Sequence, residues 1–207
     1  MKLHASDGVT LEAEWSPAAE PRAAAVLCHP HPQYGGTMRS IVISALFEAL
    51  PPRGVSCLRF NFRGVENSEG ASTAGREEPL DVRAALDDAS DRAPAGTPIV
   101  VIGWSFGADM ALTIGDPRIA GWVGIAPPLR FRDPTEYQTV GLDARPKLLI
   151  LAAHDEFRAP AEIEDETRHW NATRHEVVAG ASHFFIGRTE RVVTLAGAFV
   201  DDLAARV

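Results

Sequence analysis

The sequence predicts an α/β protein with a mostly parallel sheet, opened by an antiparallel hairpin and covered by helices on both faces. Three observations carry this reading. Near-continuous apolar runs recur along the chain, segments with helix-like apolar spacing separate them, and Asp7-Gly8 divides two short extended pieces at the start. Such runs suit strands buried on both faces, and strand, helix, strand alternation implies crossover connections within a parallel sheet.

In chain order, "KLHASDGVTLEAEW" is the hairpin, with Asp-Gly as its turn. The strands that follow are "AAAVLCH" at 23–29, "GVSCLRFNF" at 54–62, "PIVVIGW" at 98–104, "IAGWVGIA" at 119–126, "PKLLILAA" at 146–153 and "RHEVVA" at 174–179. Between them "MRSIVISALFEAL", "REEPLDVRAALDDA" and "PAEIEDETRHW" repeat apolar residues at helical intervals, and "RVVTLAGAFVDDLAARV" closes the chain. "NSEGASTAG" at 67–75 is a loop. No repeat or linker divides the 207 residues, so one domain over 1–207 is expected.

Charge and composition exclude several partner classes. With 28 acidic against 20 basic side chains the net charge is −8, and no basic run is present. The summed field repels nucleic acid and anionic membrane, so neither is an expected partner. The start carries no apolar stretch resembling a signal peptide, and no segment offers the ~20 apolar residues of a membrane span. A cytoplasmic protein is expected. Cys28 and Cys57 end apolar runs and read as buried reduced thiols rather than a disulfide.

A nucleophile candidate stands at "VVIGWSFGADMAL", where a strand runs into Gly103-Trp104-Ser105-Phe106-Gly107 and then into a helical pattern. A sharp strand-to-helix turn needs small residues on either side of the serine, because the two backbones approach closely there. Such a turn holds the Ser105 hydroxyl above the strand ends and leaves the Phe106 N–H free to face a developing oxyanion. A serine hydroxyl needs a base, and an imidazole needs an orienting carboxylate. His183 lies in a small-residue loop after the last strand and Asp155 just past the strand before it, giving the chain order Ser, acid, His. His154 is the main rival base, and Glu156 is the rival acid in the same loop. His175, His169 and His4 fall within a strand, a helix and the hairpin.

Five motifs, "HPHPQYGGTM" from His29, "RFNFRGVENSEG" from Arg59, "GWSFGA" from Gly103, "DEF" from Asp155 and "HFFIG" from His183, span nearly the whole chain. In this order they resemble the small, lid-free bacterial α/β-hydrolases of the dienelactone-hydrolase-like group. The resemblance implies the α/β-hydrolase fold without a cap domain, a Ser-His-Asp triad and no metal or organic cofactor. It also implies that the loop after the first parallel strand supplies a second oxyanion donor. Pro30 and Pro32 have no N–H, so His31 is the only residue of that turn after His29 able to give one. Pro32 is a candidate for a cis bond, which fits a sharp turn. Zinc is disfavoured, because no closely spaced Cys/His set accompanies Cys28, His29 and His31; the His29 ring is expected to be buried beneath the loop.

One departure concerns Glu66, which follows "RGV" where relatives of this fold usually show a second glycine two residues after the Arg-Gly pair. Glu66 is strained if that position needs a positive φ, and otherwise an exposed glutamate or one facing the site. Arg63 is expected to brace the loop through a buried ion pair. Tyr34, Glu66 and Arg158 are candidate substrate contacts, and Arg130, Arg132 and Arg158 are either solvated or a landing point for an anion. The segment 127–145 lacks a long helical cap, so the site is expected to be open. A small-molecule acyl substrate follows, with short-chain carboxylic esters first, thioesters or small amides second, and a non-catalytic binding module third. A monomer or homodimer fits equally.

Overall fold

The computed structural model describes residues 1–206. Strands β1 (Lys2–His4) and β2 (Thr10–Ser16) form the hairpin, and β2 continues antiparallel onto β4 (Val55–Phe60). From there β3 (Ala23–Cys28), β5 (Ile99–Trp104), β6 (Ile119–Ile125), β7 (Lys147–His154) and β8 (Thr173–Ser182) all run parallel, in the order β1-β2-β4-β3-β5-β6-β7-β8. Each predicted strand is present within two residues, except that β8 extends to Ser182.

The apolar runs are continuous because each strand faces two cores. Along β3, Ala24, Val26 and Cys28 enter one core, while Ala23, Ala25 and Leu27 enter the other. This is the period of two expected of a pleated strand with both faces covered. On the first face lie α2 (Glu78–Arg92), α3 (Phe106–Ala111), α4 (Pro134–Gly141) and α5 (Pro160–Glu166), contributing residues such as Leu86, Met110, Tyr137 and Ile163. On the second lie α1 (Ile41–Ala49) and the long α6 (Thr189–Ala204), with Ile43, Leu46, Phe199 and Val200.

The β6–β7 connection carries only the eight-residue helix α4, held at its start by a reciprocal capping box between Asp133 and Glu136. No long helix covers the carboxyl ends of the strands, and this edge stays open. Because β4 and β5 lie on opposite sides of β3, the chain reverses its winding direction there, and the crevice at such a reversal is where open α/β sheets bind ligands. Among the described residues no helix is long and apolar enough to cross a membrane.

Three expectations are corrected. No peptide bond is cis among the described residues, so Pro32 follows a trans bond; His31 and Pro32 instead enter a short 3-10 turn, Pro32–Tyr34. Glu66 adopts φ +47°, and its carboxylate accepts from Asn61 Nδ2 at 2.7 Å and from Arg39 at 3.0 Å, tied to the β2–β4 side of the sheet. Arg158 points the other way, donating to the Pro128 carbonyl at 2.7 Å and pairing with Glu166 one turn beyond Glu162 on α5. Neither Glu66 nor Arg158 lines the cleft. Arg63 is buried and bidentate on Asp81, as its position in the loop suggested.

Candidate active site

The turn after β5 is built by its glycines. A Cβ on Gly103 would lie 2.2 Å from the Gly107 carbonyl oxygen, and one on Gly107 would lie 2.3 Å from that of Cys28. Any side chain at either position would drive α3 away from the ends of β5 and β3. Between them Ser105 takes φ +54°, ψ −119°, a strained conformation for a residue with a Cβ. The turn is pinned because the Ser105 N–H donates to Ile125 O at 2.8 Å and its carbonyl accepts from Ala108 and Asp109.

His183 follows β8 and is fixed on four sides. Its Nε2 lies 2.8 Å from Ser105 Oγ and its Nδ1 lies 2.8 Å from Asp155 Oδ2. With the carboxylate as acceptor at Nδ1, that nitrogen carries the ring proton, and Nε2 is left to accept from the serine hydroxyl. The His183 main-chain N–H donates to Glu156 at 3.0 Å, and its carbonyl accepts from Trp104 Nε1 at 3.2 Å. The other Asp155 oxygen accepts from the Phe157 and Arg158 amides, so the carboxylate cannot swing. Asp155 therefore holds the ring and Glu156 the backbone. His154, the rival base, continues β7 and pairs in register with Ser182.

On the opposite wall, the His29 ring is fully buried and bridges two segments. Its Nε2 accepts from the Phe62 N–H at 3.0 Å, which leaves Nδ1 to donate to Pro30 O at 2.6 Å. Burial pushes its pKa down to about 4, so the ring is neutral at physiological pH. His31 follows, its carbonyl accepting from Tyr34 and Gly36 and its ring packed 4.9 Å from both Phe106 and Phe131. Burial lowers the His31 pKa as well, with Glu78 raising it and Arg130 lowering it. Neither the His31 N–H nor the Phe106 N–H has a hydrogen-bond partner among the described residues. Gly36 is required here, since a Cβ would lie 2.1 Å from Pro30 O.

These groups open into a cleft of about 460 Å³ whose lining includes His31, Tyr34, Trp104, Ser105 and His183. Phe157 and Phe184 complete the wall beside His183, the former with its ring 4.5 Å from the imidazole. Tyr34 is 78% exposed at the rim. Cys28 and Cys57 are both buried and unpaired, and burial pushes both thiols up. Among the described residues no three His, Cys, Asp or Glu side chains converge as metal ligands.

Sequence reasoning missed Trp104 as a support for His183, and it missed Asp109. The Asp109 side chain, one turn into α3 from Ser105, is fully buried and accepts from three consecutive amides, Leu129, Arg130 and Phe131, at 2.9, 2.9 and 3.1 Å. Burial pushes its pKa up to about 6 against those bonds. It anchors the loop after β6 that forms one wall of the cleft. The acidic residue directly after "SFGA" was the available signal.

No family model matches the sequence. An uncharacterized protein of Rickettsia prowazekii is 30% identical over 189 residues, covering 87% of this chain and 79% of that one. An α/β serine hydrolase homologue from Coxiella burnetii is 28% identical with a TM-score of 0.85, covering 96% of this chain and 95% of that one. A lidless α/β serine hydrolase from Xanthomonas campestris is 27% identical with a TM-score of 0.78, covering all of this chain and 93% of that one. An uncapped parallel sheet, a strained serine at the end of its central strand and matches over nearly the whole of both chains make this chain similar to the lid-free bacterial α/β serine hydrolases.

Proposed function

We propose that the protein hydrolyses short-chain carboxylic esters by acyl transfer, with Ser105 as nucleophile, His183 as base and Asp155 as the orienting acid. The observation that carries this reading is the unbroken line of hydrogen bonds, 2.8 Å from Ser105 Oγ to Nε2 and 2.8 Å from Nδ1 to Asp155. Ser105 Oγ attacks the acyl carbon as its proton passes to Nε2, and Asp155 stabilises the imidazolium. The His31 and Phe106 N–H groups, which have no partner among the described residues, would take the tetrahedral oxyanion. The imidazolium then gives its proton to the leaving alkoxide. Water attacks the acyl-enzyme with His183 again as base, and the acid leaves.

The open cleft favours small acyl groups over long chains, which need a lid or tunnel for burial. Thioesters and activated amides pass through the same tetrahedral intermediate and are the second reading of the same triad. A fluorophosphonate probe followed by peptide mapping tests the nucleophile, with labelling of Ser105 expected. Ser105→Ala should reduce 4-nitrophenyl acetate hydrolysis to the solvent rate; full activity in that variant would refute the assignment.

A further inference from the structure

Three arginines lie on or near the loop after β6, and two of them are spoken for. Arg132 pairs with Glu136 and donates to the Gly75 and Arg76 carbonyls, and Arg158 pairs with Glu166 and braces the Pro128 carbonyl. Arg130 alone lines the cleft, and its guanidinium has neither a carboxylate nor a carbonyl partner among the described residues. It lies over two aromatic rings, 5.3 Å from the centroid of Phe131 and 5.8 Å from that of Phe157.

Its backbone is not free to drift. Asp109 grips the amides on both sides of Arg130 as well as its own, and Arg158 holds the carbonyl two residues earlier. A long, exposed cationic side chain thus projects from a rigid base, with the Phe131 and Phe157 rings beside it. Cation–π contact of this kind leaves the edge of the guanidinium open to in-plane hydrogen bonds.

The charge around it is equally uneven. The chain carries −8 overall, yet no Asp or Glu lines the cleft among the described residues. The nearest buried acid that His31 feels, Glu78, is consumed by Ser72, Thr73 and the Gly75 amide. A protein that repels anions over its surface therefore keeps its acid-free pocket for one unpaired cation.

We propose that Arg130 recognises a second, free carboxylate on the substrate, so that the preferred esters are half-esters of diacids or esters of hydroxy acids rather than neutral ones. The inference rests on the ester-hydrolase reading above and narrows it. A carboxylate meets the Arg130 fork through two parallel N–H···O bonds. Among the described residues Arg130 is the one lysine or arginine in the cleft wall.

Two matched pairs of esters test this. Methyl hydrogen glutarate against methyl pentanoate places the charge on the acyl side, and 4-acetoxybenzoate against 4-tolyl acetate places it on the alcohol side. The readout is the ratio of kcat/KM for charged over neutral ester, because any change common to both substrates cancels. In Arg130→Gln that ratio should fall about ten- to a hundredfold in at least one pair, with partial recovery in Arg130→Lys; the pair that falls locates the carboxylate. Arg130→Met, which keeps the apolar stem, replaces the Gln variant if that one does not fold.

A ratio that stays within about twofold in both pairs while esters turn over would overturn the inference and leave the esterase reading standing. Absence of all ester turnover would defeat the esterase reading instead. Glutarate binding, followed by titration calorimetry, then decides the carboxylate site: tighter binding to wild type than to Arg130→Gln by tenfold or more supports it, and equal or undetectable binding overturns it.

Discussion

Replacing Asp155 and Glu156 one at a time separates two carboxylates that are adjacent in sequence and both bonded to His183. In Asp155→Asn the amide oxygen stays with the Phe157 and Arg158 N–H groups, which leaves the NH₂ where Oδ2 accepted from Nδ1. That NH₂ forces the ring proton onto Nε2, where it faces Ser105 and blocks general-base action. Since the Asp155 side chain is only 5% exposed, water cannot repair the tautomer. The expected loss is about 10⁴-fold in kcat, as for the equivalent change in other triads. Glu156 makes a single 3.0 Å bond to the His183 main-chain N–H. Gln keeps an acceptor oxygen there, so Glu156→Gln trades a charge-assisted bond for a neutral one, worth about 1 kcal/mol. If all of that reached the transition state, kcat would fall about fivefold. Hydrolysis of 4-nitrophenyl acetate under saturation, with active sites counted by fluorophosphonate, measures both. A Glu156→Gln loss equal to that of Asp155→Asn, or Asp155→Asn retaining more than about a tenth of the activity, would refute this division of roles.

Two further predictions concern the frame. Gly107→Ala places a methyl 2.3 Å from the Cys28 oxygen and 2.5 Å from that of His29, and should destabilise by about 2–4 kcal/mol, lowering the melting temperature by about 5–15 °C. Gly35→Ala, at φ +78° with open space around it, should lose only about 1 kcal/mol; similar melting curves for the two would contradict the packing described. His29, whose folded pKa is pushed down to about 4, binds its proton more readily in the unfolded chain, so its contribution is full above the ordinary value of about 6.5 and is lost as pH falls through 6.5 toward 4. That loss is worth about 3 kcal/mol at pH 4. Asp81 and Asp109, with folded pKa values raised to about 6, act oppositely between about 4 and 6, so the test compares wild type with His29→Gln by urea unfolding at pH 7 and pH 4.5. Equal acid sensitivity of the two proteins would exclude His29 as a source.

The strands were legible because two-sided burial writes itself as unbroken apolar runs, and the sharp turn at Ser105 was legible because only glycine tolerates contacts of 2.2 and 2.3 Å. Helix α4 was missed although Asp133 and Glu136 form a capping box three residues apart; its apolar signal is only Tyr137 and Val140 on eight residues. Arg158 was misjudged because its partners, Glu162 and Glu166, lie at helical spacing on α5, a pattern present in the sequence but outweighed by its nearness to Asp155. The grip of Trp104 and Glu156 on the backbone of His183 has no sequence signal, since it joins a strand end to a loop almost eighty positions later. Glu66 could be recognised as a positive-φ position only by analogy, and its partner Arg39 comes from another loop.

Trp104, one residue before Ser105, donates to the carbonyl of His183. Serine and imidazole are thus mounted on a common chassis, while the rings of Tyr34, Phe157 and Phe184 that shape the pocket hang from loops outside it. Such a layout is modular: the rim can be exchanged, by selection or by design, to reshape the pocket without disturbing the alignment of Ser105 and His183.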